Sequence, residues 1–202
     1  VAVAANRSEL RTCLPSEPMW LKQVHGRGII TAEETVGVPE ADGSISRKPG
    51  VICAVLTADC LPVLFCDRSG TVVAAAHAGW RGLADGVLEA AVQSMAVEPG
   101  EILAWLGPAI GPQAFEVGEE VRQIFMAQEP AAAQAFVPSI LTPQASGTPP
   151  KWLADIYLLA RQRLARAGVQ RVFGGDLCTH TDAQRFYSYR RDGVTGRVAS
   201  LV

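Results

Sequence analysis

The chain has 202 residues, of which 49% are hydrophobic and 19% charged, with a formal net charge of −2. That is enough for one domain with a sizeable core. Lys and Arg are scattered, so charge offers no face for nucleic acid or an anionic membrane, and no apolar run reaches the roughly 18–20 residues of a membrane span.

The opening "VAVAANRSEL" has no Met and no basic-then-apolar leader, and residues are expected upstream of it. Cys13, Cys53, Cys60, Cys66 and Cys178 are an odd number without disulfide-framework spacing. They read as buried thiols of a reducing cytoplasm, one of which needs a different explanation.

"GVICAVLTADCLPVLFCDRSGTVVAAAHAG" spells three strands. "VICAVL" and "LPVLFC" are continuous apolar runs, as in strands covered on both faces. Pro62 fits only a strand start or edge, and "DRSG" turns the chain into the third strand. After His77 the period changes. Leu83, Val87, Leu88, Ala91, Val92 and Met95 predict one helix over residues 82–96. "EILAWLG" predicts a strand, "GPAIGPQAFEVG" a rigid loop, and residues 118–128 a short helix. Residues 129–150, rich in Pro, Ala and Ser, read as a surface excursion. Trp152, Ile156, Leu159, Leu164 and Ala167 form an amphipathic helical stripe closed by Gly168. "RVFGG", "FYSYRR" and "RVASLV" predict three final strands, the last two joined by "DGVTG". Strands and helices intermix, which implies a mixed sheet.

Chemistry concentrates in "KQVHGRG" (His25), "TADCLPV" (Cys60) and "AAHAGWRG" (His77). Each places a potential ligand at the end of an apolar run, and strand ends at one rim of a sheet can bring distant positions together. Two imidazoles and a thiolate make a three-ligand set with one open position, suited to catalytic zinc and water activation. The same atoms also suit a metal-free scheme with Cys60 as nucleophile and His77 as base. A packed residue with one hydrogen bond would explain each position separately, since no CxxC or HExxH marks the set. Asp59 can carry a proton or orient a ligand, or simply cap local amides. Arg81, at a helix start, can bind an anion or lie in solvent. Tyr187 and Tyr189 alternate along the expected "FYSYRR" strand, where they can flank a planar base or half-bury in a sheet. Arg190 and Arg191 follow, and Glu116 and Glu119 lie just after the Gly/Pro loop.

Together "WLKQVHG", "ADG", "TADCLPVLF", "AAHAGWRGL", "LGPAIGPQAFEVG" and "CT…FYSYRRDGVTGR" resemble the laccase-domain or YfiH-type family, once called polyphenol oxidases. The match follows the family's order over most of residues 19–198. The resemblance implies an α+β fold, a mixed-sheet α/β/β/α sandwich likened to the cytotoxic necrotizing factor deamidases. It implies zinc bound by His25, Cys60 and His77, with copper as the other metal. It implies phosphorolysis of adenosine, inosine and methylthioadenosine, and deamination of adenosine, in the cytoplasm. A metal-activated water suits attack on an adenine ring carbon. Cys60, His77, Asp59 and Arg81 are then the catalytic candidates, with Arg81 and its helix start serving phosphate. Family members carry an N-terminal segment with an arginine-and-glycine motif, "LNLG" and "GD". This chain begins after it, and the expectation is one laccase-type domain over residues 1–202 whose missing segment is disordered.

Three other readings stay open. A multicopper oxidase needs many more histidines than the three here, although one copper in the trio would allow weak phenol oxidation. A metal-free Cys–His hydrolase would act on an amide, as in peptidoglycan-precursor editing. A zinc-stabilised binding module would fill all four metal positions with protein.

Overall fold

Side-chain alternation on two adjacent strands decides where the core ends and the site begins. The computed structural model describes residues 2–142 and 149–202. In chain order the elements are α1 (Ala2–Thr12), β1 (Ile29–Thr31), β2 (Gly43–Ser46), β3 (Ala54–Thr57), β4 (Leu61–Asp67) and β5 (Val73–Ala78). Next come α2 (Trp80–Asp85), α3 (Val87–Met95), β6 (Ile102–Leu106), β7 (Glu116–Gly118), α4 (Glu119–Gln128) and β8 (Phe136–Pro138). The chain ends with β9 (Lys151–Ala154), α5 (Ile156–Arg166), β10 (Arg171–Gly174), α6 (Tyr189–Asp192) and β11 (Val198–Leu201).

Six strands form one mixed sheet in the order β1-β2-β5-β4-β6-β10. The outer pairs, β1 with β2 and β6 with β10, are parallel, and the inner pairs are antiparallel. β3 and β11 make a separate antiparallel pair, and β7, β9 and β8 a third small sheet. In β5, Ala74, Ala76 and Ala78 enter the main core with Leu83, Leu88 and Met95 of the helices, as do Leu61, Val63 and Phe65 of β4. The alternate residues Ala75, Leu64 and Val73 face the opposite way and pack with Cys53 and Val55 under the β3–β11 pair. His77 belongs to this second set by its period-two spacing. A slip of one residue would bury it among the helices.

The expected mixed sheet is present, and so are the strands expected within "VICAVL", "LPVLFC", "TVVAAAHAG", "EILAWLG", "RVFGG" and "RVASLV". Pro62 is the second residue of β4. Four local expectations are corrected. The helix predicted over residues 82–96 is two helices, starting at Trp80 and broken at Gly86, whose φ of 93° is left-handed. A one-residue break leaves the apolar spacing intact, so periodicity does not register it. Buried Arg163 of α5 seals the junction by donating to the Ala84 carbonyl and to Glu89.

The surface excursion is partly core. Pro130–Ala135 is a 3₁₀ helix that buries Ala132 and Ala135, and buried Phe136 lies 6.2 Å from Phe125. Residues 143–148 of that stretch lie outside the described residues. Trp152 sits in β9 rather than in the following helix, which Asp155 starts by accepting from the Leu158 amide. "FYSYRR" is a loop leading into α6, capped by Ser188, so Tyr187 and Tyr189 do not alternate along a strand.

All five cysteines are free, and of them Cys53 is the buried one. Among the described residues no helix is long and apolar enough to cross a membrane.

The Gly/Pro loop after β6 is pinned by Tyr157 of α5. Its hydroxyl accepts from the Ala109 amide at 2.8 Å and donates to the Leu177 carbonyl at 2.7 Å. Burial pushes this phenol up to about 12. Tyr157→Phe leaves a buried amide and carbonyl unpaired and should cost about 1–3 kcal/mol, read as a lower urea midpoint at unchanged m-value.

Candidate metal centre

Three segments far apart in sequence meet at one end of the main sheet. β5 delivers His77 on its last turn of the pleat, and Cys60 immediately precedes β4. His25 comes from the loop before β1 and has a φ of 60°, uncommon for a residue with a side chain. The donor atoms of His25, Cys60 and His77 lie within 4.8 Å of one another. Cys60 Sγ is 3.7 Å from His25 Nε2, and the two imidazole centroids are 4.8 Å apart at 74°.

One buried carboxylate organises this geometry. Asp42, 0% exposed, directly precedes β2, where the Gly43–Ala76 pairing places it beside His77. The His77 amide donates to the Asp42 carbonyl, continuing that ladder by one step. Asp42 Oδ1 lies 2.7 Å from His77 Nδ1 and accepts the His25 amide at 2.9 Å. Oδ2 accepts the amides of Val24 at 3.2 Å and Gly26 at 2.7 Å. Three successive amides wrapped around one carboxylate form a nest, which holds the His25 loop in its unusual conformation. Gln23 completes the docking. Its side-chain amide accepts from the Leu56 N–H at 2.8 Å and donates to the Leu56 carbonyl at 2.9 Å, which ties the loop to β3.

The electrostatics follow from these contacts. Burial works against the charge of Asp42, but His77 and the Gly26 and Val24 amides outweigh it and hold the carboxyl below its usual range. Burial alone would raise the Cys60 thiol. Hydrogen bonds from His25 and His77, with their charges, bring it down to about 6. Burial opposes protonation of His77, yet Asp42 and Cys60 raise it to about 9. Without metal, Cys60 and His77 form a thiolate–imidazolium pair near neutral pH.

The donor set fits a metal ion. Nδ1 of His77 is committed to Asp42, which leaves Nε2 as its ligand atom, an arrangement frequent in zinc sites. Two imidazoles and one thiolate suit zinc or copper. Two glycines keep the space open. A Cβ on Gly79 would sit 2.7 Å from His25 Cδ2 and 3.1 Å from Cys60 Sγ, and one on Gly82 would sit 2.5 Å from the Gly26 carbonyl oxygen. These glycines of "HAGWRG" let the start of α2 press against both ligand loops.

The trio opens into a cleft of about 430 Å³ whose other walls include Leu56, Thr57, Tyr189 and Arg197. Asp59 and Arg81 are not among its lining residues. Asp59 has a φ of 87°. Its two oxygens accept from the Thr179 hydroxyl and the Arg190 amide, both at 2.7 Å, which ties the C-terminal segment to the turn before Cys60. Arg81 is exposed, with its guanidinium 4.5 Å over the Trp80 ring. Tyr189 lines the metal cleft while Tyr187 lines its neighbour. Arg190 donates to the Glu116 carbonyl, and Arg191 holds the carbonyls of Thr179, His180 and Phe186. Glu116 accepts from Ser139 and Thr142, and Glu119 from Trp152, so both carboxylates fasten loops. Asp42, Gln23 and Arg197 were not singled out from sequence. Asp42 carried one local signal, the "ADG" stretch just ahead of an alternating run.

Residues 1–202 match the family described as multi-copper polyphenol oxidoreductase laccase. The chain is 56% identical to "Purine nucleoside phosphorylase YfiH" of Escherichia coli strain K12, over 99% of its length and 80% of the relative's. It is 57% identical to "Purine nucleoside phosphorylase PA4543" of Pseudomonas aeruginosa, over 100% of its length and 80% of that protein's. Its fold matches the crystal structure of Neisseria meningitidis protein NMB0706 with a TM-score of 0.90 at 51% identity, covering 99% of this chain and 80% of that one.

Two measurements check the geometry. Asp42→Asn removes the charge that orients His77 and should weaken metal binding by roughly 10–100-fold in a chelator competition. In metal-free protein, alkylation of Cys60 should reach half its maximal rate near pH 6, because the lowered thiol keeps its thiolate form down to that pH. His25→Ala should move the midpoint upward.

Proposed function

Since the chain belongs to the multi-copper polyphenol oxidoreductase laccase family, in which close relatives bear the name purine nucleoside phosphorylase, we propose that it is a metal-dependent purine nucleoside phosphorylase. Its substrates are adenosine, inosine and methylthioadenosine with inorganic phosphate, and it also deaminates adenosine. The observation that carries the reading is the His25–Cys60–His77 trio at the wall of an open cleft. Zinc is the assigned ion, and when bound it supplies Lewis acidity and water activation near neutral pH.

The chain's own groups do the rest. Asp42 fixes the ring of His77 and, through three amides, the loop of His25. Buried His77 and half-buried Cys60 hold the deep side of the site, while exposed His25 faces its entrance. Asp59 positions the cleft wall through Thr179 and Arg190. Tyr189 offers an aromatic surface at the mouth, 62% exposed, against which a purine can stack. Free thiols throughout accord with a cytoplasmic location.

A second reading, a metal-free Cys–His hydrolase, is favoured by the lowered Cys60 thiol beside His25. Chelation separates the two, because it abolishes the first activity and spares the second. The multicopper reading lacks ligands. The chain has three histidines, of which His180 lies outside the trio, though a single copper suits the same donors.

Metal-replete protein should convert inosine and phosphate to hypoxanthine and ribose 1-phosphate. Cys60→Ala should lower that rate by about a hundredfold or more. A wild-type protein of known zinc content that released no base from inosine or adenosine would refute the reading.

A further inference from the structure

Phosphorolysis requires a place for a doubly charged oxyanion close to the nucleoside. The start of α2, with Arg81, is the position that the sequence suggests. In the structure that guanidinium lies over Trp80, and Arg81 is not among the residues lining the metal cleft.

The cation on the cleft wall is Arg197. It stands where two clefts meet, one holding the trio and a neighbour of about 460 Å³, and with Leu56 it borders both. Its backbone is placed by strand register. Val198 pairs with Thr57, so Arg197 comes opposite the turn that leads to Cys60. The head group is oriented by its own turn, since Nη1 donates to the carbonyls of Thr195 at 3.0 Å and Gly196 at 2.8 Å. Nε and Nη2 have no hydrogen-bond partner among the described residues, and no carboxylate pairs with this arginine there. None of the residues lining either cleft is acidic, and the second cleft adds Arg7. By contrast, Arg185 and Arg191 in the same C-terminal stretch are each paired with an aspartate. A half-satisfied, pre-oriented guanidinium in a groove without carboxylates is suited to a tetrahedral oxyanion, which it can grip with two parallel N–H donors.

We propose that Arg197 binds the inorganic phosphate substrate of the metal cleft, holding it on the side facing the second cleft. This assignment rests on the phosphorylase reading above. In the reaction an oxygen of hydrogen phosphate bonds to C1′ of the ribose as the C1′–N bond breaks. The bond pair leaves with the purine, and the proton of hydrogen phosphate ends on the purine nitrogen. Arg197 stays protonated throughout and orients the attacking ion.

The test is steady-state phosphorolysis of inosine by metal-loaded wild type, Arg197→Ala, Arg197→Lys and Arg81→Ala, with circular dichroism and metal content checked for each. Arg197→Ala should raise KM for phosphate by at least about tenfold while KM for inosine stays within about twofold. Arg197→Lys should recover part of the loss, and sulfate should compete with phosphate in the wild type but far more weakly in Arg197→Ala. Adenosine deamination, which uses no phosphate, should proceed in the variant.

An unchanged phosphate KM in folded Arg197→Ala overturns the proposal, as does a phosphate defect confined to Arg81→Ala. So does a defect seen only when adenosine 5′-monophosphate replaces the nucleoside, which would assign Arg197 to a substrate's own phosphate. If the wild type shows no phosphorolysis, the phosphorylase reading has failed separately, and direct titration with inorganic phosphate decides the site. Binding by wild type but not by Arg197→Ala supports it, and equal or absent binding overturns it.

Discussion

The buried carboxylate of Asp42 is the constraint on which the metal centre depends. A fully buried charge is costly unless it is well paired, and this one has four donors: three consecutive amides and an imidazole. Each partner belongs to a loop or strand that carries a ligand. The cost of burying the charge is therefore offset only when the His25 loop and the end of β5 are in place together. Two ligands are positioned by one interaction, and the third, Cys60, follows from the ladder that joins β4 to β5.

The same arrangement couples metal to protons. Without an ion, His77 shares its charge with Asp42 on one side and Cys60 on the other. A metal must displace the proton from the ring atom facing the thiolate, so uptake releases protons and weakens in acid. Asp42 makes the ring both a stronger base and a stronger ligand, and these effects oppose each other below neutrality.

The sheet was legible because its central strands are covered on both sides and read as unbroken apolar runs, "LPVLFC" and "VVAAA" among them. Features set by a single residue's backbone were less so. Gly86 breaks a helix whose stripe continues across it, and Ser188 starts a helix in a stretch whose alternating tyrosines suggest a strand. Phe136 was hidden inside a composition that looks like loop. In the site, His25, Cys60 and His77 were recognisable from their motifs. The groups that act on them were not, since Asp42 reaches back 17 residues to His25 and forward 35 to His77, and no local spacing encodes such a contact. Arg197 is only the first residue of the expected "RVASLV" strand in the sequence, and its place on the cleft wall follows from the pairing of β11 with β3.

That pairing has a consequence for how the protein is made. The three ligands and Asp42 all occur within the first 77 residues, whereas Tyr189, Arg197 and the strand closing over β3 are among the last 14. Chains fold from the N-terminus as they leave the ribosome, so the metal donors emerge long before the wall that shapes their cleft. Until that strand arrives, Cys60 stands without the wall formed by Tyr189 and Arg197. The cleft is complete only once β11 has docked on β3.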